Sequence, residues 1–199
     1  MIAPCPTLEA LITRLRSCVR TPEPPPGALC RDVAASLAPA LRDPTWLPAD
    51  LTIPDPSSYR RERLHEEDDG AFSIGCFVWG AGQATPIHDH RSWGVAGVLV
   101  GTLREESFVR GASGKLEKLG PDAILRAGEI GAVDPGLGDI HRIGAATGEV
   151  SISIHVYGSR LAEICRTRYP EPVVIPPPGW HDGADRSAAV VPEPWRPYF

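Results

Sequence analysis

His88 and His90 stand one residue apart in the segment TPIHDHRSWG, in a chain with only six histidines. Side chains at i and i+2 of a β-strand point to one face, so this spacing aims both imidazoles at a common point. That point is either a metal ion or a polar patch that holds two rings. A third histidine bears on the choice. His141 ends the turn-rich run GEIGAVDPGLGDIH, in which Gly136 and Gly138 permit a tight reversal. Two imidazoles from one strand and a third from a later strand make a facial set. Such a set leaves coordination positions open, as a catalytic metal site requires.

A second polar group follows in SISIHVYG. Ser151, Ser153, His155 and Tyr157 share one face of the expected strand, and Ile152, Ile154 and Val156 share the other. If the apolar face packs into the fold, the polar face must look into water or into a polar pocket. A serine hydrolase built on Ser153 and His155 fails, because no G-x-S-x-G turn surrounds the serine. Arginines come near both ends of this region, in YRRER around residue 60 and CRTRY around residue 166. His65 and His181 lack partners at useful spacing and read as surface residues. Cys76 reads as core, Cys165 as unremarkable, and Trp93 as packing that shapes a pocket wall.

The elements that must position these residues differ along the chain. TLEALITRLRSCVR and GALCRDVAASLAPAL carry helical apolar periodicity, with Thr7 expected as an N-cap. TPEPPPG forms a stiff linker between them, and Pro39 and DPTWLPADLTIPDP end the helical order. From about residue 71, short β-rich runs (FSIGCFVW, WGVAGVLV, TLREESFV, DAILRA, VSISIHVYG) predict an antiparallel sandwich or barrel. The organisation expected is one domain over 1–199, with a helical part over 1–45, a barrel over about 58–168 and a proline-rich irregular wrap over 169–199. Trp180, Trp195 and Phe199 are the anchors of that wrap.

The 199 residues are 42% hydrophobic and 23% charged, which suits a soluble globular protein. A net charge of −5 without a basic run gives no expectation of nucleic acid. Apolar stretches are too short to span a bilayer, and the N-terminus lacks a secretory pattern, so the cytoplasm is the expected location. Five cysteines without a C-x-x-C spacing predict reduced thiols. Oligomeric state leaves no mark in the sequence.

Two glycine-framed motifs gather the histidines. Gly82, His88, His90, Gly94 and Gly101 have the shape of a cupin's first motif, and Gly128, Pro135, Gly138 and His141 that of the second. Many cupins place a glutamate ligand where this chain has Gly94, so the site holds three neutral imidazoles. An iron(II) so bound keeps its full charge, which favours an anionic thiolate in a low-dielectric pocket.

Together PIHDHRSWGVAGVLVG, GDIHRI and SISIHVYG resemble the thiol dioxygenases of the cysteine dioxygenase family, especially the bacterial 3-mercaptopropionate branch, over residues 59–166. The resemblance implies a mainly β fold, the cupin double-stranded β-helix with N-terminal helices. It implies mononuclear non-haem Fe(II) on His88, His90 and His141, and a hydrogen-bonded Ser153, His155 and Tyr157 triad beside it. The partners implied are a small thiol and O2, with the sulfinate as product. Gly94 replaces the cysteine that cross-links to the tyrosine in animal members, so no cross-link is expected. Arg61 matches the carboxylate-binding arginine of cysteine dioxygenases, and Arg166 stands at the mercaptopropionate branch's arginine spacing, nine residues after Tyr157. The first points to cysteine and the second to 3-mercaptopropionate. Both together point to a dicarboxylate thiol such as mercaptosuccinate. A cupin that binds a small ligand without catalysis, and a metal-dependent isomerase or hydrolase, are the other readings.

Overall fold

Two amphipathic helices come first among the residues that the computed structural model describes, 5–19 and 27–170. Helix α1 (Pro6–Val19) begins on a proline, whose missing N–H is no loss in a first turn. Thr7 therefore lies inside that turn and is not the cap. Helix α2 (Ala28–Leu37) follows Gly27, whose φ of +77° suits glycine. Short 3₁₀ turns at Ala38–Leu41, Pro44–Trp46 and Ala49–Thr52 then carry the proline-broken chain to the strands.

The strands are β1 (Arg60–Glu66), β2 (Ser73–Trp79), β3 (Ile87–His90), β4 (Gly94–Val100), β5 (Thr102–Arg110) and β6 (Leu116–Lys118). They continue as β7 (Ala123–Arg126), β8 (Ile130–Val133), β9 (His141–Ala145), β10 (Ser151–Tyr157) and β11 (Cys165–Tyr169). One sheet has the order β1-β2-β10-β4-β8; the other runs β11-β3-β9-β5-β6, with β7 also on β5. All pairings are antiparallel. The two curled sheets form a half-barrel, the double-stranded β-helix that the motifs imply.

Alternation along β2 and β10 explains where the site lies. Ile74, Cys76 and Val78, with Ile152, Ile154 and Val156, pack outward against Leu11, Leu15, Val33 and Leu37 of the helices. Phe77, Trp79 and Tyr157 point the other way, into the barrel, toward Leu103, Leu125 and Ile143. Both strands are consequently buried along their whole length. The helices thus cover the outside of one sheet and leave the barrel interior free for polar groups.

His65 departs from expectation. It is half-buried, lies against Phe72, and its Nε2 is 3.0 Å from the Glu67 carboxylate. Cys76 is core as expected, and burial pushes its thiol up to about 12. The TPEPPPG linker through Pro26, and the C-terminal wrap beyond Pro170 with Trp180, His181, Trp195 and Phe199, lie outside the described residues. No helix among the described residues is long and apolar enough to cross a membrane.

Candidate active site

Strand β3 presents His88 and His90, and His141 opens β9 directly opposite His88 in the pairing register. The ring centroids form a nearly equilateral triangle: 4.7 Å for His88–His90, 4.8 Å for His88–His141 and 4.9 Å for His90–His141. One ring nitrogen from each lies within 4.8 Å of the other two. The approach to His141 turns where Gly138, at φ +98°, bridges back to Asp134.

Hydrogen bonds select which nitrogens face inward. His88 donates Nδ1–H to the Pro86 carbonyl at 3.0 Å, leaving the Nε2 lone pair free. His141 turns Nδ1 toward Glu105 Oε1 at 2.5 Å, which again leaves Nε2 free. The backbone N–H of His90 donates to Asp139 Oδ2 at 2.6 Å, while its buried Nδ1 has no hydrogen-bond partner among the described residues. Burial and the neighbouring imidazoles push His88 down to about 3, and burial holds His141 well below the usual range. Both are therefore neutral at physiological pH, as metal ligands must be. Three converging imidazoles, two of them with Nδ1 already engaged, fit a divalent transition metal.

Glu105 was not foreseen. It is buried, and that burial pushes its carboxyl up to about 7. The signal lay in LREESFV, where Glu105 shares the face of Leu103 and so must point into the barrel. Its neighbour Glu106 points outward, toward Arg142 and Lys118.

Ser153, His155 and Tyr157 share the inner face of β10 as a hydrogen-bonded row. Ser153 Oγ is 2.8 Å from His155 Nε2, and His155 Nδ1 is 2.9 Å from the Tyr157 hydroxyl. Trp79, which sequence reading missed, sets the polarity of this row. Its Nε1–H can only donate, and it donates to Ser153 Oγ at 2.9 Å. The buried Ser153 hydroxyl has His155 Nε2 as its one acceptor among the described residues, so it donates there. The imidazole proton is then on Nδ1 and goes to the Tyr157 oxygen. Tyr157 is left with its own O–H free for the cavity. Phe77 stacks on His155 at 4.0 Å and holds the ring plane. Burial pushes His155 down to about 3 and Tyr157 above the ordinary phenol range. The row is neutral throughout.

Gly94 pairs with Tyr157 across β4 and β10. A Cβ there would stand 2.7 Å from Tyr157 Cδ1 and 2.8 Å from Cε1. Glycine at 94 is therefore what lets the tyrosine ring occupy its place. Gly94→Ala is expected to lower unfolding free energy by about 1–3 kcal/mol through overpacking, read from urea denaturation. An unchanged midpoint would show that the ring moves aside at no cost.

The arginines divide. Arg61 lines the cavity, whereas Arg60 is held by Glu62 and by the carbonyls of Asp50 and Ile53, and Arg63 faces Glu66 at 3.5 Å. Arg166 is not brought to the cavity. A register shift in β11 between Cys165 and Thr167 turns it to the outer face. There it grips Asp89 Oδ2 through Nε at 3.0 Å and Nη2 at 2.8 Å, and lies 3.7 Å from Asp139. Buried Asp89 also accepts from the Thr167 N–H and the Tyr169 hydroxyl. Arg166 thus fastens β11 to the strand that carries His88 and His90. After the shift Arg168 stands opposite His88 and lines the cavity. Cys165, opposite His90, lines it too. Trp93 does not. Its indole lies one layer back, where a Cβ on Gly158 would be.

The cavity has a volume of about 300 Å³, with walls from Phe77, Trp79, Leu125, Val133, Ile143 and Ile164 around the polar groups. A pocket of this size and mixed lining suits a small molecule with a few charged or polar atoms.

The family model of cysteine dioxygenase type I matches residues 32–169. Among solved structures, a Klebsiella pneumoniae protein with a double-stranded β-helix domain is similar at 18% identity and TM-score 0.47, covering 60% of this chain and 88% of that one. A cupin superfamily protein from Desulfitobacterium hafniense is similar at 11% identity and TM-score 0.43, covering 58% and 86%. An oxalate oxidase solved with the substrate analogue glycolate is similar at 18% identity and TM-score 0.42. This match covers 55% of either chain, so the chain spans about half of that enzyme.

Proposed function

Because the chain belongs to the cysteine dioxygenase type I family, we propose that it is a non-haem iron thiol dioxygenase that converts a small carboxylated thiol to its sulfinate. The observation that carries this reading is the meeting of three converging imidazoles and the Tyr157 hydroxyl in one small cavity that Arg61 also lines. Iron(II), held by His88, His90 and His141, would supply a Lewis-acidic centre with open positions where thiolate and O2 meet.

The reaction balances without a second reductant. A thiolate and O2 give the sulfinate: two S–O bonds form, the O–O bond breaks, and sulfur gives up the four electrons that oxygen takes. The chain's own residues bind, orient and exclude. Arg61 pairs with the substrate carboxylate and fixes the end remote from sulfur. Tyr157 directs its free O–H at the reacting atoms, oriented through His155, Ser153 and Trp79. Apolar walls keep bulk water from the reacting sulfur and strengthen each of these polar contacts. Arg166 acts at a distance from the substrate, by holding β11 against β3.

Oxygen consumption by the iron-loaded protein tests the reading, with 3-mercaptopropionate, cysteine and mercaptosuccinate offered in turn. Uptake matched one-to-one by sulfinate with any of them is the expected result. No uptake with all three at verified iron occupancy would reject it in favour of a binding protein.

A further inference from the structure

His88, His90 and His141 converge without a carboxylate or thiolate in the set. Acidic groups behind the imidazoles therefore decide what charge the centre feels. On the outer side of β3, Asp89 and Asp139 are matched by a cation: Arg166 Nη2 lies 2.8 Å from Asp89 and 3.7 Å from Asp139. Glu105 differs from both. It comes from β5, lines the cavity, is buried, and turns Oε1 to His141 Nδ1 at 2.5 Å. Among the described residues it has no arginine or lysine partner, and His141 is its one hydrogen-bond partner.

A carboxylate oxygen and an imidazole nitrogen approach this closely only with a hydrogen between them. When His141 offers its Nε2 lone pair to a cation, that single hydrogen leaves one negative charge on the Glu105–His141 pair, whichever atom holds it. Neither of the other imidazoles has such a partner. His88 meets a neutral carbonyl, that of Pro86 at 3.0 Å. His90 Nδ1, 3.5 Å from Asp139 Oδ2, has no hydrogen-bond partner among the described residues. A carboxylate on the far nitrogen of a ligating imidazole fixes the ring's tautomer and raises its basicity. In a cavity of low dielectric its charge also reaches the metal, and it attracts a trivalent ion more strongly than a divalent one.

We propose that Glu105 is a positioning residue that supplies the anion the three-imidazole set lacks: through His141 it holds Nε2 toward the metal and lowers the iron(III)/iron(II) potential. The proposal rests on the thiol dioxygenase reading above.

Redox titration and chelator competition on the iron-loaded protein test it, with oxygen uptake measured on the same samples. Glu105→Gln keeps an oxygen acceptor for the His141 Nδ1–H and removes the charge. Its iron(II) affinity should fall about 10- to 100-fold. Its iron(III) affinity should fall about tenfold further, which raises the potential by about 59 mV. Glu105→Asp restores the charge on a shorter side chain and should bring the potential back toward the wild-type value. Glu106→Gln, next along β5 but turned outward to Arg142 and Lys118, should leave the potential unchanged. A Glu105→Gln potential equal to that of the wild type overturns the proposal, as does an equal rise in Glu106→Gln; oxygen uptake by the wild type would then leave the dioxygenase reading intact. A potential raised in Glu105→Gln alone, in a protein that takes up no oxygen with any thiol offered, keeps the role of Glu105 and rejects the dioxygenase.

Discussion

His88→Ala is expected to abolish both metal binding and oxygen uptake. The wild-type chain should hold about one iron, and the variant less than about a tenth of that under the same loading. Loss of an orienting partner of a ligand already costs 10- to 100-fold in affinity, so loss of a ligand itself should cost more, with turnover falling by at least about 10³. The geometry explains the severity. Two imidazoles remain after the substitution, 4.9 Å apart between centroids, and the described residues that line the cavity offer no carboxylate free to complete the set, because Glu105 is committed to His141. Elemental analysis of the purified variant, with circular dichroism to confirm the fold, reads the outcome. A variant that keeps full iron occupancy would place the metal elsewhere.

Tyr157→Phe is expected to separate binding from chemistry. The ring stays, with its packing against Gly94 and near His90, while the only donor that the Ser153–His155 row delivers to the cavity disappears. Iron content should hold. The kcat for the best thiol should fall by about 10²- to 10³-fold, the range for removing one preorganised donor, with a smaller change in KM. Stability should fall by about 1–3 kcal/mol, because His155 Nδ1–H is left buried without an acceptor. A kcat within twofold of wild type would deny the hydroxyl a part in the reaction.

Both expectations draw on features readable from the chain in advance. Period-two alternation put His88 with His90, and Ser153 with His155 and Tyr157, on common faces. A strand's geometry leaves no other choice once its existence is granted. The glycine-framed spacings tied His141 to the first pair. The apolar face of β10 similarly announced that something must cover it, and helices with matching apolar stripes were available in the same sequence.

What lay beyond reach was set by contacts distant along the chain. Glu105 is 36 residues from His141, and Trp79 is 74 from Ser153, so no local pattern joins them. The row's donor direction follows only from Trp79 being there. Arg61, Arg60 and Arg63 are equivalent as sequence, and pairing with β2 and with nearby carbonyls and carboxylates decides which of them reaches the cavity. Arg166 shows the limit most clearly. Counting nine residues from Tyr157 assumes an unbroken strand, but one irregularity after Cys165 changes which face every later residue occupies. Residue types and their periodicity therefore determined the converging histidine set, the Ser153–His155–Tyr157 row and the class of fold. Only the tertiary structure decided which arginines line the cavity and which proton the tyrosine offers, because register and long-range hydrogen bonds are properties of paired strands.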